Sequence, residues 1–251
     1  MFAPGRSASR AGAAAQWKGL TLIRRTHDVS AFTLVELLVV MAVIGVLAAL
    51  LLPALKSGLN SARRTSCMGN IAQVGMGFQG YLQDSAETFP AADDPVSTSP
   101  AYWLWMGRGW RPMLSAYLPE PKVFWCPTDT AAVYKYEVTS FAYSMAFYHS
   151  PAQINAMTTA AATYSNPQPT TPQLLPRVRL PSQKIMVGEW TSNHRPVDGD
   201  NGWWNWGGAR NMLFVDGHVE FCDATRIRAA NDGFPDVNLT QDGIRGFDVT
   251  P

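Results

Sequence analysis

Phe32 to Leu52 reads FTLVELLVVMAVIGVLAALLL, an apolar run broken only by Thr33 and Glu36. As a helix it would be roughly 30 Å long, the thickness of a bilayer's hydrocarbon core. A secretory signal peptide has an apolar core of only about 7–15 residues, so this run reads instead as a membrane-spanning rod. The 19 residues between Glu36 and Lys56 carry no charge.

Charge is distributed unevenly around the rod. Residues 1–31 hold Arg6, Arg10, Lys18, Arg24 and Arg25 against Asp28, a net +4. The other 220 residues hold 15 basic and 18 acidic side chains, a net −3, and the two parts sum to +1. The positive-inside rule puts the basic leader in the cytoplasm and the body outside. That body has no basic face, which excludes nucleic acid as a partner. With 47% hydrophobic and 11% aromatic residues, the chain has the material for a folded core.

Glu36 is the anomaly, because an ionisable side chain in a membrane helix is costly unless it reaches the interface or pairs with a cation. Its neighbours favour pairing. Ala31-Phe32-Thr33-Leu34-Val35-Glu36-Leu37-Leu38-Val39-Val40 closely resembles the processing site of type IV prepilins and type II secretion pseudopilins. The resemblance implies cleavage by a prepilin peptidase between Ala31 and Phe32 and N-methylation of Phe32. Glu36 would then attract the terminal amine of a neighbouring subunit during assembly. An amine and a carboxylate that are each costly in lipid cost less as a pair. Ala31 stands where that family usually has Gly. The resemblance further implies other pilin or pseudopilin subunits and an inner-membrane assembly platform as partners.

The expected organisation is a basic leader at 1–31, a transmembrane and assembly helix at 32–53, its amphipathic continuation at 54–83, and a periplasmic head at 84–251. The expected fold class is α+β and pilin-like: a long N-terminal helix packed on a small antiparallel sheet with long irregular loops. Pro53 lacks a backbone donor and is expected to kink the helix. Beyond it, Leu55, Leu59, Ala62, Ser66, Ile71, Val74, Phe78, Tyr81 and Leu82 recur at helical spacing and predict the face that docks on the head. Gly69, Gly75, Gly77 and Gly80 weaken that helix and suggest close packing or fraying. Segment 88–130, with Trp103, Trp105 and Trp110, reads as loops with short elements. Segment 150–182, with six prolines, reads as a surface excursion, and 184–190 as a strand.

NMLFVDGHVEF (211–221) is the clearest hairpin. A two-residue Asp216-Gly217 turn of type I′ predicts that Phe214 opposes Val219 and Met212 opposes Phe221. Those four would form one apolar face, with Leu213, Val215, His218 and Glu220 on the other. With Gly207-Gly208, the Asp216-Gly217-His218 turn resembles the carboxy-terminal motif of a group of pseudopilin-like proteins. Trp206 occupies the position of that motif's first His. CMGNIAQVG (67–75) and LPSQKIMVGE (180–189) fit the same group.

Catalytic chemistry is not expected. No GxSxG, Walker loop or metal-type Cys/His spacing occurs, and His149, His194 and His218 read as loop or strand residues. No cofactor is expected beyond calcium, for which Asp198, Asp200 and Asn201 offer closely spaced oxygens; the same residues are ordinary turn chemistry. Three cysteines permit three single bridges, of which Cys67–Cys126 is favoured in an oxidising compartment, leaving Cys222 in the last strand. Trp203, Trp204 and Trp206 serve either packing or an aromatic recognition surface. The functional expectation is a structural subunit of a type II secretion or type IV pilus-like filament, single-pass in a bacterial inner membrane. The rival is an envelope-anchored binding module that uses the Trp-rich loops and builds no filament.

Overall fold

The computed structural model describes residues 32–91, 109–129, 139–159, 168–199 and 206–250. Two compact units divide the chain between Leu50 and Leu51. Helix α1, Leu34–Asp84, supplies all the secondary structure described in the first unit and enters the second. It runs through Pro53 without a break, although that residue offers no N–H to the carbonyl of Ala49.

In the second unit the rest of α1 lies on a four-stranded antiparallel sheet. The strands are β1 (Phe141–Tyr143), β2 (Ile185–Glu189), β3 (Ala209–Phe214) and β4 (Val219–Asp223), paired in chain order. Two short helices, α2 (Trp110–Met113) and α3 (Pro151–Ala156), accompany it. The protein is thus α+β with a pilin-like layout of one long N-terminal helix and a small antiparallel sheet.

Register explains how helix and sheet meet. Tyr143 pairs with Val187, Val187 with Leu213 and Leu213 with Val219, so this row points to one face. That face receives α1. Phe78 lies 5.0 Å from Tyr143 between ring centroids, and a Cβ on Gly75 would stand 2.9 Å from Leu213 Cδ1. Gly77 and Gly80 admit Leu118 and Tyr117 in the same way, so of Gly69, Gly75, Gly77 and Gly80 the last three mark close approach rather than fraying. The buried face of α1 is Cys67, Ile71, Val74, Phe78 and Leu82. Leu55, Leu59, Ala62 and Ser66, expected on that face, are exposed: between Pro53 and Arg63 the head meets the helix only around a cleft shared with Asn193 and Pro196, and close packing begins at Cys67.

The hairpin corrects a second expectation. Leu213 opposes Val219, Met212 opposes Glu220 and Asn211 opposes Phe221, one residue away from the predicted register. The connecting loop is Val215-Asp216-Gly217, closed by Phe214 N–H donating to the His218 carbonyl (3.0 Å). A type I′ turn needs left-handed backbone at both Asp216 and Gly217; only Gly217 adopts it, with φ 92°. The Asp216 carboxylate instead accepts the His218 N–H at 3.2 Å, stabilising a three-residue loop. Because side chains alternate, the one-residue shift places Val219 and Phe221 on the face of Leu213 rather than on that of Phe214.

Of the proline-rich segment the structure describes 150–159 and 168–182; the latter stretch is largely exposed, in keeping with a surface excursion, whereas the start is tied to the core. Ser150 and Gln153 form a reciprocal capping box at the start of α3, and Ile154 is buried. The carboxy-terminal segment closes the core through Val237, Leu239, Ile244 and Val249. Its anchor is a buried cluster: Lys184 Nζ donates to Thr240 Oγ1 (2.5 Å) and Asp248 Oδ1 (3.2 Å), while Asp248 Oδ2 accepts the Ile185 N–H (2.7 Å). Burial holds the Lys184 ammonium below its usual pKa, and Asp248 opposes that shift.

Candidate functional site

The first turn of α1 gathers the residues marked for processing and assembly. Phe32 is 71% exposed and immediately precedes Thr33. Thr33 and Glu36 form a reciprocal N-terminal cap. Glu36 Oε2 accepts both the Thr33 N–H (2.9 Å) and the Thr33 hydroxyl (2.7 Å), and Thr33 Oγ1 in turn accepts the Glu36 N–H (3.2 Å). The Thr-x-x-Glu signature of this device is present in the sequence and was passed over there, where Thr33 counted merely as a polar interruption. Placing the acid in the first turn also suits the positive end of the helix dipole.

This geometry leaves Glu36 partly committed. Both Thr33 donors use Oε2, and Oε1 takes part in neither bond. The carboxylate therefore has a local partner while it retains an oxygen for a donor from outside the chain. Downstream, the side chains from Leu34 to Leu52 are largely exposed, with Leu38, Leu47 and Leu51 at 61, 55 and 66%. This portion of the helix is long and apolar enough to cross a membrane.

The other expected site residues lie apart from this turn in the fold. Cys67, on α1, and Cys126, after the 3-10 turn Pro121–Phe124, form a disulfide with Cα atoms 5.0 Å apart. Cys222 is a buried free thiol, and burial pushes its pKa up to about 11. Asp216 and His218 join at 2.6 Å through Oδ1 and Nδ1, while the imidazole stacks on Phe214 with centroids 4.1 Å apart. Of the suggested calcium ligands, Asp198 is exposed in a turn, whereas Asp200 and Asn201 lie outside the described residues. Ala31, the leader, Trp103, Trp105, Trp203 and Trp204 lie outside them as well. Trp110 is buried in the core, and Trp206 is 41% exposed.

The sequence favoured the Cys67–Cys126 pair but gave no sign of the two groups beside it. Cys67, Cys126, Glu189 and His194 present ligand-type atoms that all lie within 4.8 Å of one another, and all four residues are buried. They come from the helix, a loop, the end of β2 and the turn after it, so no linear spacing announces them.

A long apolar amino-terminal helix leading to a small antiparallel sheet defines the pilin-like layout. The prokaryotic N-terminal methylation motif matches residues 27–52, over the proposed cleavage point and the first half of the apolar helix. This match and the helix that follows it are consistent with a type IV prepilin-like protein, processed by prepilin peptidase and anchored by a single membrane pass. The motif marks a pilin-like structural protein and implies assembly with other pilin subunits. No curated protein and no solved structure matches the chain.

Proposed function

We propose that the protein is a pseudopilin-like structural subunit of a type II secretion or type IV pilus-like filament. The supporting observation is the methylation motif at the start of an apolar helix that this chain leaves exposed. Prepilin peptidase cuts between Ala31 and Phe32 on the cytoplasmic side, and Phe32 becomes the methylated first residue. The inner-membrane platform then draws the subunit into the filament, with its acidic head on the periplasmic side.

Assembly substitutes subunit packing for lipid around the rod. Small residues and dispersion contacts favour that exchange only modestly, so a specific polar pairing is needed to fix register. Glu36 supplies it. Before assembly, Thr33 satisfies Oε2; on assembly, Oε1 accepts the amine of a neighbour's Phe32. The local cap lowers the cost of holding a carboxylate in lipid until that amine arrives.

Mass spectrometry of the mature chain is the primary test. The expected product begins at Phe32 and carries one added methyl group; an intact leader would overturn the reading. Glu36→Leu should be processed normally, leave the head's melting temperature unchanged and fail to enter filaments. Normal incorporation of that variant would remove Glu36 from its assigned role.

A further inference from the structure

The buried Cys67, Cys126, Glu189 and His194 cluster has the composition of a tetrahedral metal centre whose two cysteines are joined as a disulfide. His194 Nε2 lies 3.4 Å from Cys126 Sγ and 3.1 Å from Glu189 Oε1. Bonds of about 2.0–2.3 Å from a central zinc ion imply ligand-to-ligand separations of roughly 3.3–3.8 Å. The imidazole and carboxylate are thus already placed near two edges of such a tetrahedron. Their side chains are 1% and 0% exposed, and among the described residues His194 Nδ1 has no hydrogen-bond partner. A buried His–Glu pair is a costly arrangement to keep without a further purpose.

Hydrogen bonds tie the same junction beside the sulfur–sulfur bond. Asn60 Nδ2 donates to the His194 carbonyl (3.1 Å), and Asn70 Nδ2 to the Trp125 carbonyl (2.7 Å), tying α1 to both loops. Ser140 Oγ accepts the Cys126 N–H (2.9 Å), and the Asn211 N–H donates to Glu189 Oε2 (2.9 Å), leaving Oε1 directed at the histidine. Such bonds orient metal ligands in established sites. Arg64 adds positive potential nearby: its guanidinium lies 4.7 Å above the Phe221 ring, which itself meets His194 edge-on.

We infer that the thiol form of this protein binds one zinc-type divalent cation through Cys67, Cys126, Glu189 and His194, and that metal and disulfide are alternative closures of the same helix-to-loop junction. Two thiolates, one imidazole and one carboxylate suit zinc, which is borderline-soft and has no redox chemistry of its own. Conversion of the oxidised form requires a dithiol donor. The Cys67–Cys126 bond takes two electrons and two protons and opens to two thiols, while the donor becomes a disulfide. Metal binding then releases both thiol protons to solvent. Coordination through the imidazole Nε2 places the ring's N–H on Nδ1. A disulfide acceptor reverses the exchange: the two thiolates give up two electrons and form the Cys67–Cys126 bond, the acceptor takes those electrons and two protons to become two thiols, and the ion leaves.

The test uses the full chain in detergent, isolated so that its cysteines were never oxidised, and cobalt(II) as the probe. A single equivalent of cobalt should bind with tetrahedral d–d absorption and a thiolate-to-metal charge-transfer band, and zinc should bleach both. The disulfide form should give neither band. Glu189→Gln and His194→Ala should each weaken cobalt binding by about tenfold or more. Cys222→Ser should leave the spectrum unchanged. Absence of the thiolate band from the unaltered thiol chain, or an identical band from the disulfide form, would overturn the inference, and neither result depends on a variant that folds.

Discussion

The two ends of α1 are built from similar apolar residues and have opposite surroundings. Leu34, Leu38 and Leu47 are more than half exposed, whereas Ile71, Val74 and Phe78 are completely buried. Intrinsic helix propensity cannot explain the contrast, since the buried end contains Gly75, Gly77 and Gly80. Distribution does. Near the amino terminus large apolar side chains point in every direction, the pattern of a helix surrounded by lipid or by other helices. Near the carboxy terminus one face is apolar, and its glycines let Leu213, Leu118 and Tyr117 approach the backbone. One end is covered by the head; the other is covered by no described residue of the chain.

Matched truncations should separate the ends most strongly. Phe78 sits among Trp110 and Tyr143, with centroids 5.6 and 5.0 Å away, so Phe78→Ala should cost the head about 3–5 kcal/mol. Leu47→Ala should change head stability by less than about 0.5 kcal/mol. Denaturant unfolding of both variants in detergent, followed by tryptophan fluorescence, measures the difference. A comparable loss from Leu47→Ala would mean that the rod end is part of the head's cooperative unit.

Acid should act on the head and not on the rod. Burial lowers the His149 pKa from 6.5 to about 4, against the opposing hydrogen bond to the Pro169 carbonyl. The unfolded chain therefore binds a proton that the folded head refuses. Stability contributed by the neutral ring is present above about pH 6.5 and is lost as pH falls toward about 4, by as much as about 3 kcal/mol. Chemical denaturation between pH 7 and pH 4 should show that slope, and His149→Gln should flatten it. An unchanged slope in the variant would assign the acid sensitivity to other groups.

What the sequence revealed follows physical range. The rod was legible because a membrane span is written in consecutive residues, and the methylation motif matched at 27–52 covers the positions Ala31, Phe32 and Glu36 that the sequence singled out. The strand at 185–189 and the existence of the 211–221 hairpin were legible for the same reason. Its register was not, because the choice between a two- and a three-residue loop depends on which backbone torsion Asp216 adopts, and its side chain stabilises the longer loop through His218. The Lys184–Thr240–Asp248 anchor and the approach of Glu189 and His194 to the Cys67–Cys126 pair were invisible, because their members are far apart in sequence and are brought together by the sheet and its loops. Thr33 is the instructive exception, a local device with a known signature that its apolar surroundings obscured.

Glycine substitutions sharpen the contrast by changing sign. Alanine at Gly58 meets nothing within 4 Å and should gain up to about 1 kcal/mol of helix stability. At Gly75 the same methyl would lie 2.9 and 3.3 Å from the two Leu213 methyl carbons. Overpacking costs of about 1–3 kcal/mol there outweigh the propensity gain, for a net loss of roughly 1 kcal/mol. Thermal unfolding of the two variants should move in opposite directions. Stabilisation by Gly75→Ala would show that Leu213 can yield and that the helix–sheet contact is looser than the core around Phe78.

The smallest effect lies at the start of the rod. Thr33→Ala removes the hydroxyl that accepts the Glu36 N–H and donates to Glu36 Oε2, while the backbone Thr33 N–H bond can persist. Loss of an N-cap side chain costs roughly 1 kcal/mol, equivalent to about fivefold faster amide exchange in the first turn. Exchange at residues 34–37 in micelles should rise by that factor, with no change in the head, and Thr33→Ser should restore it. The functional consequence separates two roles of the cap. If Thr33 holds the carboxylate ready for a neighbour's amine, Thr33→Ala should slow incorporation into filaments and Thr33→Ser should not. Faster exchange with undiminished incorporation would reduce Thr33 to a helix-starting residue and leave Glu36 to find its amine unaided.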